Sequence, residues 1–271
     1  MRKILGVAAI AVCALAASAA FAEEEHNAAE PTHFPIMEPK EESWSFAGPF
    51  GTYDRGQLQR GLWVYKDVCS ACHSMRLVPF RMLEELGYSE EQVKAFAAGY
   101  TVQDGPNDAG DMFDRPGKPS DPFHPPFPNE QAARASNNGA LPPDFSLIAK
   151  SRAGAGFTGY DGADYIFSLM TSYQDPPPAD VKLGENMHYN VAFKGHQIAM
   201  PPPLSDGAVT YADGTEATLD QEAKDIAVFL TWASETHLEE RHRTGIKAIL
   251  FLAIFTLLAY ATKRRVWADV H

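Results

Sequence analysis

Cys69-Ser70-Ala71-Cys72-His73 follows directly on Asp54–Val68, a segment whose Leu58, Leu62, Val64 and Tyr65 recur at helical spacing. A Cys-x-x-Cys-His run at the end of a helix sets two thiols beside the vinyl groups of a haem. The adjoining imidazole then lies under the iron. The reading is one covalent haem c, with Cys69 and Cys72 as attachment points and His73 as proximal iron ligand. A thioredoxin-like redox pair would need a βαβ setting, and strand signals are scarce around the motif. A structural zinc site would need a fourth ligand at close spacing and usually a second cysteine pair. The chain has three cysteines, and the third, Cys13, lies in a segment read below as cleaved.

The ligand on the other haem face must come from far along the chain. Methionine and histidine serve electron transfer there. Met187, His188, His196 and Met200 are the candidates, because Met75 is too near His73 to reach the opposite side. Met200 stands immediately before Pro201-Pro202-Pro203, whose fixed backbone can hold a loop rigid against the iron. It is the first choice. Met187 and His188, in a looser polar stretch, are held in reserve, and a methionine that merely packs in a loop is the alternative for Met200.

Both ends of the chain bear on location. Arg2 and Lys3 precede an apolar run from Ile4 to Ala20, and Ala20-Phe21-Ala22 fits a small-x-small cleavage site. Residues 1–22 read as a cleaved export signal. Gly245–Thr262 is a second apolar run, of 18 residues with Lys247 as its sole charge. As a helix it spans roughly 27 Å, close to a bilayer's hydrocarbon core. Lys263, Arg264, Arg265 and Trp267 follow, a basic stop with an interfacial aromatic. This gives a signal over 1–22, a periplasmic domain over 23–244, a membrane anchor over 245–262 contacting lipid, and a cytoplasmic tail over 263–271. The formal charge is −12; with +2 on the signal and +5 on residues 241–271, residues 23–240 carry −19. Such a field repels nucleic acid and anionic headgroups and attracts basic partners.

The expected fold is mainly α with long irregular loops. Helices are predicted over Asp54–Val68, Ser89–Ala98 (opening on a capping box), Asn129–Ala135, Asp161–Tyr173 and residues 218–238, the last running on toward the anchor. Residues 23–50 read as an extended arm. Residues 99–128, rich in Gly, Pro and Asp, read as devoid of regular elements, and residues 174–217 read as mostly loop. So small a helical core within so much loop calls for a staple, which a cofactor would provide.

Five blocks then bear on family: Cys69–His73, Arg134-Ala-Ser-Asn-Asn-Gly-Ala-Leu-Pro-Pro-Asp144, Asp164-Tyr-Ile-Phe-Ser-Leu169, Ala199-Met-Pro-Pro-Pro-Leu204 and Thr231-Trp-Ala-Ser-Glu235. In this order they resemble the cytochrome c1 family, over nearly the whole chain after the signal. The resemblance implies a class I cytochrome c core with long loop insertions, plus one C-terminal transmembrane helix. It implies Met200 as distal ligand, Asn137, Pro142 and Pro143 lining the haem pocket, and Arg152 and Tyr165 at a haem propionate. The implied role is electron transfer within quinol:cytochrome c reductase, without bond chemistry by this chain. Its implied partners are cytochrome b, a Rieske iron–sulfur protein as donor and a c-type cytochrome as acceptor, in a dimeric complex. The export signal points to a bacterial inner membrane, crossed once. The rival readings are a free-standing anchored cytochrome shuttle, a haem enzyme with a labile sixth site, and a non-haem thiol oxidoreductase.

Overall fold

The computed structural model describes residues 38–154 and 161–269; the export-signal reading of 1–22 and the first part of the expected arm lie outside the described residues. Helix outweighs strand. The first helix, α1 (Arg55–Asp67), starts where Asp54 accepts the Gln57 N–H at 2.8 Å, so one of the unpaired first-turn amides is satisfied. Its Leu58, Leu62, Val64 and Tyr65 are buried. They pack on α6 (Leu219–Ser234), capped by Thr218 and carrying Ile226, Phe229 and Leu230 into the same core. The two helices cross closely at Gly61: a Cβ there would stand 2.2 Å from the Asp225 carbonyl oxygen and 2.5 Å from Phe229 Cβ. Only glycine fits that crossing.

Between these helices the chain adds β1 (Met75–Pro79), a 3-10 helix over Phe80–Leu86, and α2 (Glu90–Ala98), which opens on the expected capping box of Ser89 and Gln92. Next come β2 (Thr101–Asp104), β3 (Phe113–Pro116) and β4 (Pro122–Phe123), then α3 (Glu130–Ser136), α4 (Ile148–Arg152) and α5 (Gly162–Thr171). A two-residue pair, β5 (His188–Tyr189) and β6 (Gln197–Ile198), precedes α6. The long helix α7 (Leu238–Val266) ends the described chain.

Three expectations need correction. Residues 99–128 do hold regular structure: β2 pairs antiparallel with β3, and β4 with β1. The hairpin shows no apolar alternation because ion pairs fasten it: Arg115 binds Asp104, and binds Asp121 through two bonds at 2.6 and 3.0 Å. The described part of the expected arm is irregular but docked. The Lys40 N–H donates to Ser168 Oγ at 2.7 Å, and Trp44 Nε1 to the buried Asp164 at 2.7 Å, both on α5. Finally, the segment 218–238 does not run unbroken into the anchor. Glu235 leaves the helical region (φ −148°, ψ 59°), where its carboxylate binds both Lys150 and Arg241.

The break lets α7 start on the domain before it leaves it. Leu238 is buried, Glu239 forms a two-bonded pair with Arg55 at 2.8 and 2.9 Å, and His242 Nδ1 meets the Gly51 carbonyl at 3.1 Å. Lys247 therefore sits in the third turn of α7, not the first as the run 245–262 implied. From Ile249 onward the large apolar side chains are exposed. Among the described residues α7 is the one helix long and apolar enough to cross a membrane.

Candidate functional site

Residues 69–77 and 143–146 form one clasp around His73. The Cys72 and His73 amides both bond the Cys69 carbonyl, at 3.1 and 2.9 Å, which rolls the motif into a 3-10 turn. Ser70 Oγ donates to the Lys66 carbonyl at 2.7 Å and ties that turn to the end of α1. The thiols differ in setting: Cys69 is half-buried and Cys72 exposed. Burial pushes the Cys69 thiol up to about 12, so it carries no thiolate at neutral pH. A thiol oxidoreductase needs the opposite shift.

The imidazole of His73 is buried and stacks on Phe145, ring centroids 3.9 Å apart. Its Nδ1 lies 2.8 Å from the Pro143 carbonyl oxygen. A carbonyl only accepts, so Nδ1 carries the proton and Nε2 keeps a lone pair for a metal. Burial lowers the His73 pKa and outweighs the Pro143 bond and the nearby Asp144 charge, so the ring stays neutral. The Tyr65 hydroxyl donates to the His73 carbonyl at 3.1 Å.

Asp144 fastens the two halves of the clasp. It accepts Ser74 Oγ–H at 2.7 Å, the Arg76 N–H at 3.1 Å and the Ser146 N–H at 2.9 Å. The Phe145 N–H returns a bond to the Ser74 carbonyl at 2.7 Å. Burial would raise the Asp144 carboxyl, but the bonds from Ser146, Ser74 and Arg76 hold it down at about 2. Leu141 and Leu147, on either side of this segment, expose apolar surface. Two thiols one turn apart, an imidazole with a free Nε2, and apolar surface beside them suit a covalently held haem.

The other expected site residues are spread over several elements. Asn137, the C-cap of α3, donates to the Ala133 carbonyl at 2.7 Å. Pro142 is half-buried and Pro143 exposed. Arg152 ends α4, exposed, and among the described residues bonds Ser151. Tyr165 lies half-buried on α5 against the main core. Met200 follows β6 and is half-buried, and its carbonyl accepts the Tyr173 hydroxyl at 3.1 Å. Of the reserve candidates, Met187 is exposed, and the His188 backbone pairs with Ile198. His196 is buried, its Nδ1 3.2 Å from the Tyr189 hydroxyl. Met75 is wholly buried in β1.

Sequence reasoning missed Tyr173 and a buried polar group on α6. Glu222 and Asp225 are both fully buried. Glu222 had a visible signal: with Ile226, Phe229 and Ala233 it falls on one helical stripe, at spacings of 4, 7 and 11 residues.

The model described as the cytochrome C1 family matches residues 44–270. A protein named cytochrome b/c1 from Bradyrhizobium diazoefficiens is 49% identical over 98% of this chain, which spans 40% of that protein's length. The mitochondrial "cytochrome c1-2, heme protein" of Solanum tuberosum is 47% identical, with 93% of this chain and 91% of that one covered. Cytochrome c1 of Rhodospirillum rubrum is 44% identical, with 84% and 87% covered.

Proposed function

The chain belongs to the cytochrome c1 family, and on that premise we propose that it takes one electron from a Rieske iron–sulfur protein and passes it to a c-type cytochrome. As a family member it is the haem subunit of the bc1 complex and part of respiratory electron transport. Cytochrome b is its companion in the membrane, in a dimeric complex. Haem c, when bound, supplies a one-electron iron couple. Cys69 and Cys72 hold that single group covalently, His73 offers Nε2, and Met200 offers its thioether. Pro143 sets the tautomer of His73. As the family resemblance implies, Asn137, Pro142 and Pro143 would line the pocket, and Arg152 and Tyr165 would contact a haem propionate. The observation that carries this reading is the 2.8 Å contact between His73 Nδ1 and the Pro143 carbonyl beside the paired thiols.

Residues 1–22 serve as a bacterial export signal, so 23–244 lie in the periplasm and 245–262 cross the inner membrane once. The −19 charge of residues 23–240 favours a basic acceptor and a salt-sensitive encounter. One experiment tests the assignment: the chain is purified from its membrane, and a reduced-minus-oxidised spectrum is taken. A c-type spectrum that co-purifies with cytochrome b and is reduced by quinol supports it. A c-type spectrum without cytochrome b indicates a free-standing shuttle, and absence of any haem spectrum defeats the proposal. Cutting the chain before Arg241 keeps Glu239 on Arg55 and should leave a soluble, haem-loaded domain.

A further inference from the structure

The two expected iron ligands share a backbone device. A tyrosine donates to the carbonyl of each: the buried Tyr65 to His73 at 3.1 Å, and the half-buried Tyr173 to Met200 at 3.1 Å. The proximal side has a second fastening in Asp144. The distal side has one as well, thirteen residues beyond Val209. After Met200 the chain runs through Pro201-Pro202-Pro203 to Leu204, which is buried in the main core. It then turns over Ser205–Ala208 and delivers the Val209 N–H to Glu222 Oε1 at 3.0 Å. Glu222 is fully buried, and its other oxygen has no hydrogen-bond partner among the described residues. Its bond to Val209 fixes the loop that follows Leu204. Farther along, Tyr211 packs under Arg60, whose guanidinium joins Asp213 to Asp225 at 2.9 Å each.

We propose that Tyr173 and Glu222 are positioning residues that clamp the Met200 segment from both sides and hold its thioether in place. The inference rests on Met200 being the distal ligand. A thioether is a neutral ligand on a flexible, three-bond side chain. Its occupancy of the iron depends on how well the backbone beneath it is fixed, since a mobile loop forfeits the bond to ordering entropy. Three prolines stiffen the segment, and the buried Leu204 that follows them seats its far end in the core. Tyr173 anchors the residue itself, and Glu222 fastens the Val209 amide in the loop beyond Leu204. Burial pushes the Glu222 carboxyl up, with bonds from the Val209 and Ala208 amides opposing. An amide keeps an oxygen that can accept from the Val209 N–H and should therefore replace it.

The test uses the full chain in its membrane complex. Four variants are compared: Tyr173→Phe, Glu222→Ala, Glu222→Gln and Met200→Leu. The readouts are covalent haem content, the near-infrared charge-transfer band of ferric iron–thioether ligation, and carbon monoxide binding to the ferrous form. The expected result is normal covalent haem in Tyr173→Phe and Glu222→Ala, with the band at least halved and carbon monoxide binding gained. Glu222→Gln should keep the wild-type band, because its amide oxygen still accepts from Val209. If Met200→Leu loses the band while Tyr173→Phe and Glu222→Ala keep it and exclude carbon monoxide, the clamp is refuted and the ligand assignment stands. If Met200→Leu keeps the band, the ligand assignment falls and takes the clamp with it. Should Glu222→Ala fail to accumulate, Tyr173→Phe decides alone.

Discussion

The two sides of the proposed haem site are built on different length scales. The proximal side is local: two thiols and the imidazole lie within five residues, and a second segment 70 residues on closes over them through Asp144 and Pro143. The distal side has no local motif. Met200 sits in a stretch with only two-residue strands; its carbonyl accepts from Tyr173, just beyond α5, and the loop after it is tied to α6 through Val209 and Glu222. The difference teaches that covalent attachment and axial ligation can fail separately. On the proposed assignment, damage to the first should remove the group, whereas damage to the second should change its chemistry.

The largest effect should come from Cys69→Ala with Cys72→Ala. We expect no covalent haem, and little accumulated protein, because the loops around the clasp would lose their staple. Acid-acetone extraction of the purified chain checks this; a red residue after extraction would sink the assignment. Met200→Leu should be milder in haem content and severe in function. Leucine keeps an apolar side chain of similar volume, so Cys69, Cys72 and His73 should still hold the group. Thioether ligation raises the potential relative to histidine, so potential should fall on its loss and quinol-dependent turnover should stop. Met187→Leu should leave both unchanged, which redox titration of the two variants would settle.

A smaller effect is expected at the crossing of α1 and α6. Gly61→Ala places a methyl 2.2 Å from the Asp225 carbonyl oxygen, which neither backbone can yield without shifting. The cost should be about 1–3 kcal/mol or somewhat more, as for an overpacked core. Thermal unfolding of the holo domain would read it as a lowered Tm, and an unchanged Tm would show that α1 and α6 are not held as closely as described.

Much of this was legible from residues alone, for reasons that differ by region. The caps of α1, α2, α3, α5 and α6 lie where Asp54, Ser89, Asn129, Asp161 and Thr218 announce them, since an N-cap is a local bond between a side chain and the next turn. The cysteine pair and its histidine were legible for the same reason. The hairpin of β2 and β3 was not, because Arg115 and two aspartates hold it where alternation would be expected. The break at Glu235 was hidden as well. A carboxylate shared by Lys150 and Arg241 ends α6 there, and neither Gly nor Pro marks the site. Tyr173 gave no signal: its partner is a backbone carbonyl 27 residues away, which any residue could supply. Glu222 did give one, as an acid on an apolar stripe.

The carboxyls that fasten the two sides should respond to pH in opposite directions. Asp144 is held at about 2 in the folded chain, below the usual aspartate value near 3.9. The unfolded state therefore binds a proton first as pH falls. Asp144's contribution is present in full above about pH 4 and is lost as pH drops toward 2. Glu222 is shifted upward by burial, so the folded state holds its proton more tightly than the unfolded chain does. Its site is unpenalised in acid, and the penalty grows as pH rises through the folded value, with Asp206 and Asp225 nearby adding repulsion. Asp144→Asn should thus flatten the acid limb of the stability profile and leave the alkaline limb alone. Glu222→Gln should flatten the fall in stability that begins as pH rises past the ordinary glutamate value of about 4.3. Denaturant midpoints of the holo domain, measured from pH 3 to 9 for both variants, would resolve the two. If Glu222→Gln instead removed a loss of stability on acidification, the fold would favour the ionised carboxyl, and the upward shift assigned to burial would have to be abandoned.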